Sequence, residues 1–179
     1  MNFKIGKCNV GVGKKAFIVA ELSGNHNQSL DRAKRLIKYA KLAGADAVKL
    51  QTYTADTITL KSNKNDIKIK NNSPWKKYKN FWNLYNAAST PWIWHKELFK
   101  TAKKYNLEIF SSPFDESAVE FLESLKCPAY KIASPEINHI PLIKKVAKTG
   151  KPVILSTGLA DLKDIKLAIK TLKKNGCKK

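Results

Sequence analysis

The chain has 179 residues, 43% hydrophobic and 27% charged, with a formal net charge of +20 at pH 7. That length supports one packed core, and no apolar run is long enough to cross a bilayer. Only Arg32 and Arg35 of its 34 basic residues are arginine, whereas nucleic-acid readers lean on arginine's planar fork; the lysines read as a solvated surface with no nucleic-acid partner.

The opening M-N-F-K-I-G lacks the apolar stretch of a secretory signal, and residues 3–12 read as a short hairpin punctuated by Gly6, Gly11 and Gly13. Strand one is Phe17 to Ala20. After the polar S-G-N-H-N-Q, Ser29 caps a helix with the apolar stripe Leu30, Ala33, Ile37 and Ala40, closed by Gly44. Strand two is Ala47 to Leu50. A long insertion, about 53–89, follows; it is rich in Asn and Lys and carries Trp75, Tyr78, Phe81, Trp82 and Tyr85. A connection of that length inside a compact domain is usually a lid or binding loop.

Thr90 then reads as the cap of a second helix, with Pro91 at its first position and a stripe of Leu98, Ala102 and Tyr105. His95 and His139 read as surface or capping histidines, and Trp92 and Trp94 as packing around a helix start. Strand three is Glu108 to Ser111, followed by a helix using Ala118, Phe121, Leu122 and Leu125. Strand four, Ala129 to Ile132, precedes a helix with Leu142, Ile143, Val146 and Ala147. Strand five, Val153 to Leu155, precedes one with Leu162, Ile165, Ala168, Ile169 and Leu172.

Strands alternating with amphipathic helices make parallel β/α units. A closed eight-unit barrel generally needs about 200 residues or more, so the expected fold is a TIM-type (β/α)8 barrel truncated after about five units, with the hairpin in front. Cys8, Cys127 and Cys177 are odd in number and lack a C-x-x-C pair, which fits a reducing compartment and a cytoplasmic protein.

In a parallel α/β fold the carboxyl ends of the strands share one edge, where sites form. This chain places a polar residue at each such end: Glu21, Lys49 with Gln51, Ser112, Lys131 with Ser134, and Ser156. An inward lysine is costly unless it meets an anion, so Lys49 and Lys131 read as a phosphate or carboxylate clamp, or one of them as a Schiff-base nucleophile. A lysine snorkelling to the strand end is the plainer alternative. Each serine taken alone reads as a turn or capping residue. At matched positions on successive strands, the three hydroxyls suit phosphate. Glu21 and Glu136 read as acid–base groups, as partners for a sugar hydroxyl, or as neutralisers of a nearby lysine. Asn25, with His26 and Asn27, either lines the site or builds the turn. No histidine pair has ligand spacing, so no metal site is expected in this segment.

Six segments occur in order: A-E-L-S-G-N-H-N-Q, G-A-D-A-V-K-L-Q-T-Y, T-P-W-x-W-H-K-E-L-F, F-S-S-P-F-D, Y-K-I-A-S-x-E-I and G-K-P-V-I-L-S-T-G-L. From about Phe17 onward the chain thereby resembles the sialic acid synthase family, and its pseudaminic branch most closely. The resemblance implies a TIM barrel condensing phosphoenolpyruvate with a 2-acetamido sugar, releasing phosphate and giving a nine-carbon 2-keto sugar acid. It also implies a divalent metal (Mn or Mg), a domain-swapped homodimer and a small C-terminal antifreeze-like domain. By analogy Lys49, Ser112, Lys131, Ser134 and Ser156 would bind phosphoenolpyruvate. Glu136 would act near the attacking water or a sugar hydroxyl, and Gln51 would touch the sugar. The family's metal-binding histidines lie on later strands, so residues 1–179 are expected to lack them and the C-terminal domain, and to be inactive alone.

Overall fold

The structure, a computed structural model, describes residues 2–179. A two-stranded hairpin, β1 (Asn2–Ile5) and β2 (Cys8–Gly11), precedes a five-stranded parallel sheet. The sheet contains β3 (Val19–Glu21), β4 (Ala47–Thr52), β5 (Glu108–Pro113), β6 (Tyr130–Ile132) and β7 (Val153–Leu155), paired in chain order. Consecutive parallel neighbours joined by helices form a curled half-barrel. The helices are α1 (Leu30–Leu42), α2 (Ala55–Ile58), α3 (Phe81–Ala88), α4 (Trp92–Lys104), α5 (Glu116–Ser124), α6 (Ile140–Lys148) and α7 (Leu162–Lys174).

Strand periodicity divides the sheet into two faces. Ala47, Phe110 and Ala129 are buried together with Ile5 of the hairpin, whereas Val48, Leu50 and Ile109 pack against Ala33 and Ile37 of α1 and Leu98 and Ala102 of α4. Helix α6 buries Leu142, Ile143, Val146 and Ala147 in full. Leu142, Ile143 and Val146 each contribute about 1.5–3 kcal/mol of transfer free energy. The hairpin is tied to the sheet by the Lys7 N–H, which donates to Glu108 Oε1 at 2.8 Å. A β-carbon on Gly6, whose φ is +56°, would stand 1.9 Å from Glu108 Oε2. The turn therefore requires glycine both for its backbone and for its contact.

The cap of α1 is as expected: Ser29 accepts from Arg32 N–H, and Gly44 follows with φ +87°. Residues 53–89 are not a bare loop. They hold α2, two single-turn 3-10 helices (Asn65–Ile67 and Lys76–Tyr78) and α3, with Lys68 bridged to Asn80.

Several sequence expectations need correction. Strand one begins at Val19 rather than Phe17, because Asp46 pins Ile18: its carboxylate accepts from Ile18 N–H and its backbone N–H donates to Ile18 O. Strands two and three run on to Thr52 and Pro113, since the ladder continues through Gln51–Ser112 and Thr52–Pro113. Helix α4 starts at Trp92 with Pro91 in the cap position, and Thr90, buried, bonds His26 instead. Leu162 and Ile169 are exposed, because α7 packs on α6 through Ala168, Thr171 and Leu172.

His95 departs furthest from expectation. It is fully buried, edge-on to Phe121, with Nε2 2.9 Å from Thr52 Oγ1 and Nδ1 3.3 Å from Pro91 O. Burial holds its pKa down at about 4, against an ordinary 6.5. The unfolded chain therefore takes up a proton below pH 6.5 that the folded chain refuses until about pH 4, and stability falls with pH across that window. The loss expected from this one group is up to ~3 kcal/mol. Urea unfolding of the wild type and His95→Gln at pH 7, 6 and 5 checks it: the variant is expected to lose less on acidification, and equal losses would refute the assignment.

Candidate active site

The register of the sheet brings the strand-end residues onto one face. Glu21 pairs with Lys49, and Gln51 with Ser112. Ser111 pairs with Tyr130, which sets Ser112 opposite Lys131 one step on. Lys131 in turn pairs with Ile154, two residues before Ser156. With side chains alternating along each strand, Glu21, Lys49, Gln51, Ser112, Lys131 and Ser156 project inward at the carboxyl edge, and Ser111 and Tyr130 project to the other face.

Contacts confirm the convergence. Lys49 is only 6% exposed and makes an ion pair with Glu21; its Nζ also lies 3.5 Å from Ser112 Oγ. A buried ammonium needs such an anion beside it, and the exposed Glu21 carboxylate supplies one. Lys131 sits close enough to feel the same charges. Burial lowers its pKa first, the Lys49 charge lowers it further, and Glu21 and Glu136 oppose both. Lys131 is thus within electrostatic reach of Lys49, Glu21 and Glu136.

Glu136 lies in the 3-10 turn Ser134–Glu136 directly after β6. Burial raises its pKa, against the lowering effects of its own backbone N–H, His139 and Lys131. Its Oε2 is buried without a hydrogen-bond partner among the described residues. Buried carboxyl oxygens are nearly always satisfied, so an unmatched one at a strand-end rim marks a place where something else bonds.

The remaining residues fill narrower roles. Ser134 Oγ accepts from Leu159 N–H at 2.8 Å, so this hydroxyl already braces the loop after β7. Gly158 passes beside it, and a β-carbon there would lie 3.6 Å from Ser134 Oγ. Ser156 is half-buried, its N–H bonded to Ile132 O. Gln51 is half-buried on the inner face. Asn25 is exposed in the loop after β3, and among the described residues its side chain bonds none of the others. His139 is exposed and precedes α6, as read from the sequence. Trp92 stacks on Phe121 at 4.7 Å and donates from Nε1 to Tyr53 O, while Trp94 meets His26 edge-on.

Sequence reasoning missed the buried polar residues behind the rim: His26, Thr52, His95 and Ser111. For His95 the signal was present. It stands three residues before Leu98 and seven before Ala102, on the buried stripe of α4.

No three His, Cys, Asp or Glu side chains gather as possible metal ligands among the described residues. A cavity of about 610 Å³ lined by Lys7, Phe99, Lys103, Glu108, Leu125 and Lys126 lies at the opposite, amino end of the strands and includes none of the rim. No helix among the described residues is long and apolar enough to cross a membrane.

The chain is similar to known proteins along most of its length. Residues 36–179 match the NeuB family. The pseudaminic acid synthase of Helicobacter pylori is 54% identical over 152 residues, which is 85% of this chain and 44% of that protein. The N,N'-diacetyllegionaminic acid synthase of Campylobacter jejuni is 39% identical over 167 residues, 93% of this chain and 49% of that one. Among solved structures, the N-acetylneuraminic acid synthetase of Leptospira borgpetersenii, in complex with citrate, superposes with a TM-score of 0.83 at 28% identity. The match covers 99% of this chain and 56% of that one. The chain spans about half the length of the curated relatives it matches. With the family match running through four of the five parallel strands and the lysine rim they carry, the chain belongs to the NeuB family, that of the sialic acid synthases.

Proposed function

We propose that this chain supplies the phosphoenolpyruvate-binding part of a synthase that joins phosphoenolpyruvate to a 2-acetamido sugar. The product is a nine-carbon 2-keto sugar acid, formed with release of phosphate. The pseudaminic acid synthase of Helicobacter pylori, at 54% identity, favours a 2,4-diacetamido-trideoxy sugar as acceptor over the precursor of N-acetylneuraminate. The observation that carries the proposal is the placement of buried Lys49 and half-buried Lys131 on one inner face, where burial and then the Lys49 charge lower the Lys131 pKa. Two ammoniums so placed are relieved by a small polyanion, and phosphoenolpyruvate offers a carboxylate and a phosphate in one molecule.

In this reading Lys49, Lys131, Ser112 and Ser156 hold the anionic groups, with Ser134 adding its remaining hydroxyl proton. Gln51 and Asn25 face the sugar. C3 of phosphoenolpyruvate attacks the aldehyde carbon of the open-chain sugar, forming the C–C bond and leaving a cation at C2. Glu136, whose burial favours the protonated form, gives its proton to the aldehyde oxygen. The resulting carboxylate takes a proton from the water that adds at C2, and the tetrahedral adduct expels phosphate to leave the ketone. Glu21 keeps Lys49 oriented through their ion pair. Holding both reactants in register and balancing charge is the protein's main contribution. Residues 1–179 are proposed to bind phosphoenolpyruvate without turning it over, the complete protein being a homodimer with a divalent metal.

Calorimetry should detect phosphoenolpyruvate binding to this chain, weakened by roughly 10- to 100-fold in Lys49→Ala. Because the Lys131 pKa is lowered, affinity should decline as pH rises from neutrality, earlier than an ordinary lysine would allow. Lys131→Arg, which stays charged, should flatten that decline; no binding at neutral pH, or a profile identical in the variant, would count against the proposal.

Turnover is tested with the polypeptide carrying the complete barrel, by phosphate release from phosphoenolpyruvate against a panel of acetamido sugars. One sugar should stimulate release; if none does, the reaction is misassigned. The lowered Lys131 pKa also suits an amine nucleophile. Borohydride with substrates should trap no adduct here, whereas a covalent adduct at Lys49 or Lys131 would establish a Schiff-base aldolase.

A further inference from the structure

Behind the lysine rim, on the helix side of the sheet, the structure holds a chain of polar side chains hydrogen-bonded to one another. Thr52, His95 and Ser111 are each fully buried. Thr52 Oγ1 is 2.9 Å from His95 Nε2 and 2.7 Å from Ser111 Oγ, and His95 Nδ1 is 3.3 Å from Pro91 O. Their proton arrangement follows from the acceptor at one end. A carbonyl oxygen only accepts, so Nδ1 carries the hydrogen and Nε2 is the acceptor. Thr52 must then donate to Nε2, which leaves its oxygen free to accept from Ser111. One order satisfies all three side chains.

The placement of this chain is as specific as its chemistry. Thr52 directly follows Gln51, and Ser111 directly precedes Ser112, while Gln51 and Ser112 are themselves paired across β4 and β5. The hydroxyl–hydroxyl bond therefore clips the two strands together on the outer face at the level where the site residues project inward. His95 fastens the clip to the first turn of α4. Next to it, His26 Nε2 lies 3.1 Å from Thr90 Oγ1, and Gln28 Nε2 donates to Ala87 O and Ser89 O at 2.8 Å each. The loop after β3, the end of the 53–89 insertion, and the ends of β4 and β5 are thus laced into one belt, buried at His26, Thr52, Thr90, His95 and Ser111 and exposed at Gln28. Ser23, Asn27 and Gln28 in that loop adopt positive φ (42°, 47° and 54°), a conformation that needs such support.

We infer that His95 and Thr52 are positioning residues for the anion site: the belt they form sets the register and rigidity of Gln51 and Ser112 without touching the ligand. The inference rests on the rim being the phosphoenolpyruvate site. Strand ends offer their polar residues to a ligand at the expense of the apolar packing that would otherwise hold them. Fixing them from behind by directional bonds restores the order that catalysis and tight binding require.

The test uses Thr52→Val, which keeps the shape and removes the hydroxyl, and Thr52→Ser, which keeps it. Phosphoenolpyruvate Kd should rise about tenfold in Thr52→Val and stay near wild type in Thr52→Ser, with unfolding still cooperative in both. Hydrogen exchange at the Gln51 and Ser112 amides should quicken in Thr52→Val alone, and nitrogen-15 spectra should show the His95 proton on Nδ1. Should Thr52→Val fail to fold, Ser111→Ala removes the last link of the same chain and takes its place. Wild-type affinity and exchange in Thr52→Val, equal damage in Thr52→Ser, or a proton on Nε2 would overturn the inference. Were the wild type not to bind phosphoenolpyruvate, the functional proposal would fall, and the exchange rates and tautomer would still decide whether the belt orders the strand ends.

Discussion

Parallel pairing of β4, β5 and β6 sets two ammonium groups on the same concave face of the sheet, where the charge on Lys49 makes the charge on Lys131 harder to keep. Nothing in the apolar interior favours that arrangement. It is stable because the sheet also delivers carboxylates, Glu21 in direct contact with Lys49 and Glu136 within electrostatic reach of Lys131. The carboxylates leave the balance incomplete by design of their positions: Glu21 is exposed at the rim, and Glu136 is pushed by burial toward its neutral form. The face therefore keeps a net demand for negative charge, and the chain as a whole, at +20, carries the same sign.

The sequence made the repeating unit plain, because helix and strand periodicities differ and each is repeated several times. The buried faces of α1 and α6 were legible to the residue, since Ala33, Ile37, Leu142, Ile143, Val146 and Ala147 are apolar at helical spacing. The rim was legible for a related reason: a polar residue that ends an apolar strand run stands out. What stayed hidden was polar and buried at once. Thr52 looks like a loop residue, His95 like a surface one, and Ser111 like an ordinary strand end when hydrophobicity is the only guide, because a satisfied buried hydroxyl and an exposed one have the same letter. The same blindness shortened strands two and three, whose last residues are held by backbone ladder bonds rather than apolar packing. Thr90 illustrates the converse error. Its type and position suit a helix cap, yet its hydroxyl is taken by a histidine 64 residues away.

The insertion between β4 and α4 shows how a long connection can be ordered without a core of its own. Tyr53, buried just beyond Thr52, meets Phe114 edge-on at 5.2 Å and Tyr85 at 6.2 Å. Phe81 stacks on Tyr85, and Trp82 donates to Asp56. These aromatic pairs dock α3 against the ends of β4 and β5, while the lysines of the segment remain largely at the surface. The segment is thus anchored at both ends and carries its lysines on the outside.

The turn of the N-terminal hairpin has a bearing on how the molecule assembles. Its Lys7 amide bonds a carboxylate 101 residues further along the chain, and Ile5 is buried with residues of β4, β5 and β6. A ribosome releases residues 2–11 long before it makes Glu108, so the hairpin has no seat until the third parallel strand exists. Local β/α units can close quickly on their own helices, whereas this contact must wait for a long loop to be closed. The hairpin is accordingly the keystone of the structure, set in place after the arch that it locks.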